Sequence, residues 1–245
     1  MKIEDLILRI KRKWMKMRLQ PIRVFCFHQT SEQYDPAVYC KPDWMPLSEL
    51  KGKVQSLQND GYTFISLQEA YKHIRKDKVR KKKYAVLTCD DGLKCQAALI
   101  PWLEEEKIPM TMFVSAKYLE GKSCGQQILN YFKIADDEQE RKLAEQLYLN
   151  SEELSAIDSM MVTIGMHGYE HVDDASVSCE AFHENVENSI KALRNHKHFI
   201  SFYAYPYGKH TEQTDNILKD SHIMPVYVDG LKNYNDILSI HREIL

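Results

Sequence analysis

The sequence predicts an α/β protein built on a parallel sheet, closed or open, and three observations carry that expectation. Short apolar runs recur along the chain, separated by stretches of helical spacing and joined by short connections, which is the pattern of β-α units. The run Tyr84-Ala85-Val86-Leu87 is continuously apolar, as strands covered on both faces are. Several runs end abruptly in residues able to do chemistry: Asp90, Asp91 and Gly92 after this one, and His28 after Ile22–Phe27. In α/β sheets and barrels the loops beyond the carboxyl ends of the strands are where ligands bind.

The 245 residues, 44% hydrophobic and 28% charged, suit one large globular domain with a substantial core. A formal net charge of −2 gives no global attraction to nucleic acid. Six cysteines, at 26, 40, 89, 95, 124 and 179, form no Cys-x-x-Cys pair, and we expect reduced, mostly buried thiols in a cytosolic protein. No apolar stretch of about 18–20 residues is present, so neither export nor membrane spanning is expected.

Element by element, residues 1–20 carry Ile3, Leu6, Ile7, Ile10, Trp14 and Met17 on one helical stripe. With seven basic and two acidic residues (7 − 2 = +5), the stretch predicts a basic amphipathic helix that packs on its own domain or contacts an anionic membrane surface from the inner side. Residues 21–245 are then the main domain. A strand over 22–27 leads into His28, and prolines at 36, 42 and 46 mark a loop. Ser48 reads as the cap of a helix carrying Leu50, Val54 and Leu57 and stopping at Gly61. A strand over 62–65 and a helix over 66–74 follow. The charged run 76–83 reads as a solvated linker, with neither interleaved aromatics nor a basic face to suggest nucleic acid.

After the central strand come a helix over 97–106 interrupted by Pro101 and a strand over 110–114. Residues 126–159, polar and rich in Glu and Gln, predict an inserted helical segment, with Ser151 capping its last helix. Strands are expected over 161–164, 200–205, 224–228 and 237–240, and helices over 179–195 and 211–220. No repeat or low-complexity linker appears.

Gly165-Met166-His167-Gly168-Tyr169-Glu170-His171 places two histidines four residues apart at another strand end, a spacing that lets both imidazoles converge. Together with Asp91 they make two imidazoles and one carboxylate, the set a catalytic zinc site with an open water position requires. Asp90 is left free to act as a base. A third strand-end element, Phe202-Tyr203-Ala204-Tyr205-Pro206-Tyr207-Gly208, adds an aromatic loop suited to lining a sugar-sized pocket. There is no Gly-x-Ser-x-Gly elbow and no P-loop, so serine-hydrolase and P-loop readings fall away.

These elements, in this order, resemble the polysaccharide deacetylases, the NodB-homology carbohydrate esterases. Thr88-Cys89-Asp90-Asp91-Gly92 is similar to their Thr-Phe-Asp-Asp-Gly motif, and His167 to His171 to their His-Ser/Thr-x-x-His motif. Tyr203 to Gly208 is similar to Arg-x-Pro-Tyr/Phe-Gly. The resemblance spans roughly residues 22–240. It implies an irregular (β/α)7-type, NodB-like barrel that removes acetyl groups, N-acetyl of a hexosamine foremost, from a glycan or a lipid-linked glycan precursor. It implies Asp90 as general base and Asp91, His167 and His171 as ligands of a divalent metal, zinc first, with cobalt, nickel or manganese as alternatives.

Three departures stand out. Cys89 replaces an aromatic, Gly168 replaces a hydroxyl residue that helps set the histidine turn, and Ala204 stands where the family's arginine orients the base. The family's Leu-x-His acid motif meets Leu238-Ser239-Ile240-His241, one residue too long, so His241 is the candidate acid and His28 its competitor. His28, Tyr205, Pro206 and Tyr207 are the expected substrate-side residues. The alternatives are a non-catalytic glycan-binding module on the same scaffold and another metal-dependent hydrolase, acting on phosphoesters.

Overall fold

The structure, a computed structural model, describes residues 20–76, 80–234 and 239–245. The amphipathic helix expected over 1–20 lies outside the described residues apart from Gln20, as does the middle of the charged linker.

In chain order the first elements are β1 (Ile22–Phe27), β2 (Gln29–Ser31), β3 (Trp44–Pro46), α1 (Leu47–Asn59), β4 (Tyr62–Phe64), α2 (Leu67–Lys76) and β5 (Lys83–Cys89). There follow α3 (Lys94–Ala97), α4 (Ile100–Glu106), β6 (Met110–Val114), α5 (Gln126–Phe132), α6 (Asp137–Leu147), α7 (Ser151–Ser155) and β7 (Val162–Met166). The chain closes with α8 (Cys179–Leu193), β8 (Phe199–Ala204), α9 (Glu212–Asp220), β9 (Met224–Val228) and β10 (Ile240–Ile244).

The main sheet runs β1-β10-β9-β8-β7-β6-β5, and β1 pairs again with β5, closing seven parallel strands into a barrel. It is irregular: β4 pairs with the first half of β5 outside the ring, and the register shifts between Ile164 and Met166. Alternation along the strands divides the apolar side chains into two layers. Val24, Val86, Phe113, Phe202, Val226 and Ile240 fill the interior, where Ile74 of α2 joins them. Leu87, Met112 and Ile164 face outward onto Leu50, Leu103 and Phe182 of the surrounding helices. Gly165 makes the interior possible, because a Cβ there would lie 2.6 Å from the Phe113 ring.

The expected insertion is α5 to α7, between β6 and β7, and it has an apolar cluster of its own that includes Leu143, Leu147 and Tyr148. All six cysteines are free thiols.

Three local expectations are corrected. Ser48 lies inside α1, which starts after Pro46 without a side-chain cap, and Asn150 rather than Ser151 caps α7, its Oδ1 accepting from the Glu153 N–H at 2.8 Å. The pair β2–β3 was not foreseen; three-residue strands carry too little periodicity to read. The last strand runs Ile240–Ile244; residues 237 and 238 of the expected 237–240 lie outside the described residues, and the strand continues through His241-Arg242-Glu243, polar for a reason the site explains.

Candidate active site

The strand order brings the carboxyl ends of β1, β5, β7 and β8 to one mouth of the barrel. At the end of β5 the chain turns sharply: Asp91 has φ 82° and Gly92 φ 82°, and a Cβ on Gly92 would lie 2.9 Å from Val114. The turn separates the two carboxylates, sending Asp90 into the barrel and Asp91 into the pocket.

Asp90 is buried, and a buried carboxylate needs compensation by charge and hydrogen bonds. Arg242 of β10 supplies both. Its Nη1 donates to Asp90 Oδ1 at 2.6 Å and its Nη2 to Oδ2 at 2.8 Å, while Nη1 also reaches Thr88 Oγ1 at 3.2 Å. The guanidinium is fully buried and lies 5.2 Å over the Phe113 ring. Burial pushes the Asp90 carboxyl up, but the charges of Arg242 and His167 outweigh it and hold it at about 2. The arginine missing at Ala204 is thus replaced from two strands away: Ala204 pairs with Val226, and Val226 with Ile240. Sequence reading missed Arg242, although strand alternation from Ile240 marks it as inward-facing.

Asp91, His167 and His171 converge as the spacing predicted. Asp91 Oδ1 lies 3.5 Å from His167 Nε2 and 3.2 Å from His171 Nε2. That oxygen is buried and has no hydrogen-bond partner, which fits a donor set arranged for a cation. His167 Nδ1 is 2.8 Å from the Ala204 carbonyl, so Nδ1 carries the proton and Nε2 offers its lone pair to the pocket. His171 Nδ1 is 3.2 Å from the Tyr207 hydroxyl. Despite burial, the imidazoles of His167 and His171 beside it hold the Asp91 carboxyl well below the usual carboxylate range. A second group, Cys26, His28 and Asp90, also brings its ligand atoms within 4.8 Å of one another. It suits a cation poorly: Arg242 takes both Asp90 oxygens, and burial keeps Cys26 a thiol, its Sγ 3.4 Å from Asp90 Oδ2.

The hydroxyl residue missing at Gly168 is also replaced from elsewhere. Asn185 of α8 accepts from the N–H groups of Tyr169 (2.6 Å) and Glu170 (3.2 Å), fixing the turn between the histidines. Its Nδ2 donates to Asp174 Oδ1 at 3.3 Å, and the Tyr203 hydroxyl donates to Asp174 Oδ2 at 2.8 Å. Burial pushes the Asp174 carboxyl up to about 7. A Cβ on Gly168 would meet the Tyr203 hydroxyl at 3.2 Å and Asn185 Nδ2 at 3.3 Å, so this support occupies the space a larger residue would take.

Of the other expected residues, His28, Tyr205 and Tyr207 line the pocket. Tyr205 presents its ring, since its hydroxyl donates to Asp215 at 2.9 Å on the outer side. Pro206 is not among the pocket-lining residues; it is buried beneath the histidine turn, its Cγ 3.3 Å from a Cβ built on Gly168. His241 is not brought to the pocket either. Its Nδ1 lies 2.6 Å from Asp229 Oδ2 and its Nε2 3.2 Å from Ser239 Oγ, beside Tyr227 on the outer face of β10. The one-residue excess in Leu238-Ser239-Ile240-His241 accounts for this, because a slip of one along a strand moves every side chain to the other face. The inward position falls to Arg242, and His28 remains as the pocket histidine outside the Asp91 set.

A family model described as polysaccharide deacetylase matches residues 77–226. No curated protein matches the chain in sequence. Among solved structures, IcaB from Ammonifex degensii superposes with a TM-score of 0.72 at 20% identity, covering 93% of each chain. The Streptococcus pyogenes deacetylase PplD, solved in complex with acetate, gives 0.69 at 18% identity and 93% of each. A de-N-acetylase from Aggregatibacter actinomycetemcomitans gives 0.71 at 15% identity, covering 91% of this chain and 94% of that one. At these identities the superpositions speak for the fold.

The site geometry predicts one divalent metal per chain after zinc loading, measured by elemental analysis of the desalted protein. The double variant His167→Ala/His171→Ala should retain less than about a tenth of it, and affinity should fall with acidification because the imidazoles must be neutral to bind. Parental metal content in the double variant would refute the assignment.

Proposed function

The chain belongs to the polysaccharide deacetylase family, and from that premise we propose that it is a metal-dependent amidohydrolase removing the acetyl group from an N-acetylated hexosamine of a glycan or glycan precursor. The observation that carries this reading is the pairing, on one β5 turn, of a carboxylate anchored to Arg242 with one that faces two imidazoles. One carboxylate is committed to position and proton transfer, the other to a cation.

A divalent metal, zinc first, held by Asp91, His167 and His171 would supply a water of pKa near about 7 and a Lewis acid for the acetyl carbonyl. Asp90 takes the proton of the attacking water. Arg242 keeps it ionised and aims its carboxylate, lowering its basicity in return for a fixed charge and orientation. His28, whose ring nitrogen lies within 4.8 Å of an Asp90 oxygen, gives a proton to the departing amine. Tyr207, whose hydroxyl is 3.2 Å from His171 Nδ1, steadies that ligand and stands beside the developing oxyanion. The binding-module alternative drew its support from Ala204 and the displaced Leu-x-His; with Arg242 and His28 in those two roles it loses that support.

Residues 1–20, net +5, favour peripheral contact with anionic lipid, and we extend the proposal to an inner-membrane-face location and a precursor substrate. Gln20 enters β1 through mutual hydrogen bonds with Arg80, at the barrel end opposite the pocket, where Lys81 and Lys82 are also exposed. In co-sedimentation with anionic vesicles at low salt, the full chain should pellet and a chain starting at Gln20 should not; equal pelleting of the two would remove the membrane from the proposal.

Acetate release from a panel of N-acetylhexosamine substrates, free, nucleotide-linked and oligomeric, tests the activity itself. Asp90→Asn keeps the side chain's volume but cannot accept the proton, so it should lose about 10²–10⁴-fold in turnover while retaining metal. Near-parental turnover in that variant would require another base.

A further inference from the structure

The walls of the pocket bear on which part of a saccharide can enter. The cavity measures about 240 Å³, below the range of roughly 300–1,000 Å³ typical of clefts that bury drug-sized ligands. Chain from beyond the strand ends walls it on two sides. Beyond the strand ends, Gly125, Gln127 and Ile128 at the start of the insertion line one side, with Tyr148 from between α6 and α7. Asp43, from the loop between β2 and β3, lines another.

These walls are built as fixed parts. Tyr148 and Leu147 of the insertion pack with Leu93, which directly follows the Asp90-Asp91-Gly92 turn, and Val38 of the β2–β3 loop joins the same cluster. The Leu149 N–H donates to the Gly92 carbonyl at 3.0 Å, and Lys94 Nζ lies 2.6 Å from Glu153 Oε1. The insertion and the β2–β3 loop also meet outside the pocket, where the Lys41 N–H donates to the Tyr131 hydroxyl at 2.9 Å. The Lys41 ammonium sits 4.7 Å from the Tyr34 ring and 4.5 Å from the Trp44 ring. On the side of the insertion and the β2–β3 loop, an extended saccharide with sugars on both sides of the reacting one would run into this junction.

We infer that the site accepts a single acetylated hexosamine at the end of its saccharide, or borne singly on a carrier, and excludes internal residues of a polymer strand. The reacting sugar enters from the mouth with its acetyl group foremost, toward Asp91 and the two histidines, and the rest of the molecule stays outside. Asp43 and Gln127 are the polar side chains these walls place toward its hydroxyls. This inference rests on the deacetylase reading and narrows its substrate class.

The test uses the zinc-loaded full chain and N-acetylglucosamine oligomers of one to six residues, with the free sugar and a nucleotide-linked sugar alongside. Acetate release gives kcat/KM at each length, and tandem mass spectrometry locates the residue that has lost its acetyl group. Loss confined to a terminal residue, with kcat/KM changing less than threefold between two and six sugars, is expected. Deacetylation of internal residues, or a tenfold or greater rise in kcat/KM over that range, would overturn the inference and leave the deacetylase reading standing. No acetate from any of these substrates would overturn both.

Discussion

The ion pair between Asp90 and Arg242 is the interaction on which the rest of the site depends. A carboxylate this deeply buried is tolerated only with a charged, bidentate partner, and removing one member of such a pair costs about 3–5 kcal/mol because the other is left buried and uncompensated. Its placement ties chemistry to architecture. Asp90 follows β5 and Arg242 belongs to β10, the two neighbours of β1 at the closure of the barrel. The same guanidinium covers Phe113, whose ring fills the space that Gly165 leaves beneath the histidine strand. Asp90, the interior packing and the strand that leads into His167 and His171 are therefore coupled through one side chain.

The second constraint is backbone strain gathered at the pocket. Asp91, His171 and Tyr207 all hold positive φ, at 82°, 52° and 58°, a conformation that costs residues with a Cβ on the order of 1–3 kcal/mol each. Each is pinned from a different direction. The Asp91 turn is tied to the insertion through Gly92 and Leu149, the histidine turn is held by Asn185, and the Tyr207 hydroxyl bonds back to His171. The result is a carboxylate and two imidazoles aimed at one point by elements that share no local sequence. This is the preorganisation a hydrolytic metal site needs.

How far the sequence revealed this depended on distance along the chain. Asp90 with Asp91, and His167 with His171, were legible because each set is local: a strand end and a four-residue spacing state their own geometry. The alternation of apolar runs likewise gave the parallel sheet. Arg242 was hidden because it lies 152 residues from Asp90 and because the polar half of β10 reads as the end of a strand rather than its continuation into a charged interior. His241 was drawn toward the site by a motif whose extra residue reverses its facing, a matter of register that only the pairing of β10 with β9 and β1 decides. Asn185 and Asp174 were hidden for a related reason, since a helix face and a loop acquire their role only when α8 packs under the histidine turn. Both apparent gaps in the motifs, Ala204 and Gly168, are spaces occupied by residues from elsewhere in the chain.

The central claim is that Arg242 does from the last strand what the family's arginine does from the position of Ala204. It is tested most directly by acetate release from Arg242→Ala and from the double variant Ala204→Arg/Arg242→Ala, on an N-acetylhexosamine substrate the parent hydrolyses, with metal content measured in each. Loss of aim at the base should lower turnover by about 10²-fold in the single variant with metal retained. Returning a guanidinium from Ala204, which faces the same interior, should recover at least about a tenth of the parental rate. A folded, metal-loaded Arg242→Ala protein that turns over at the parental rate would contradict the account.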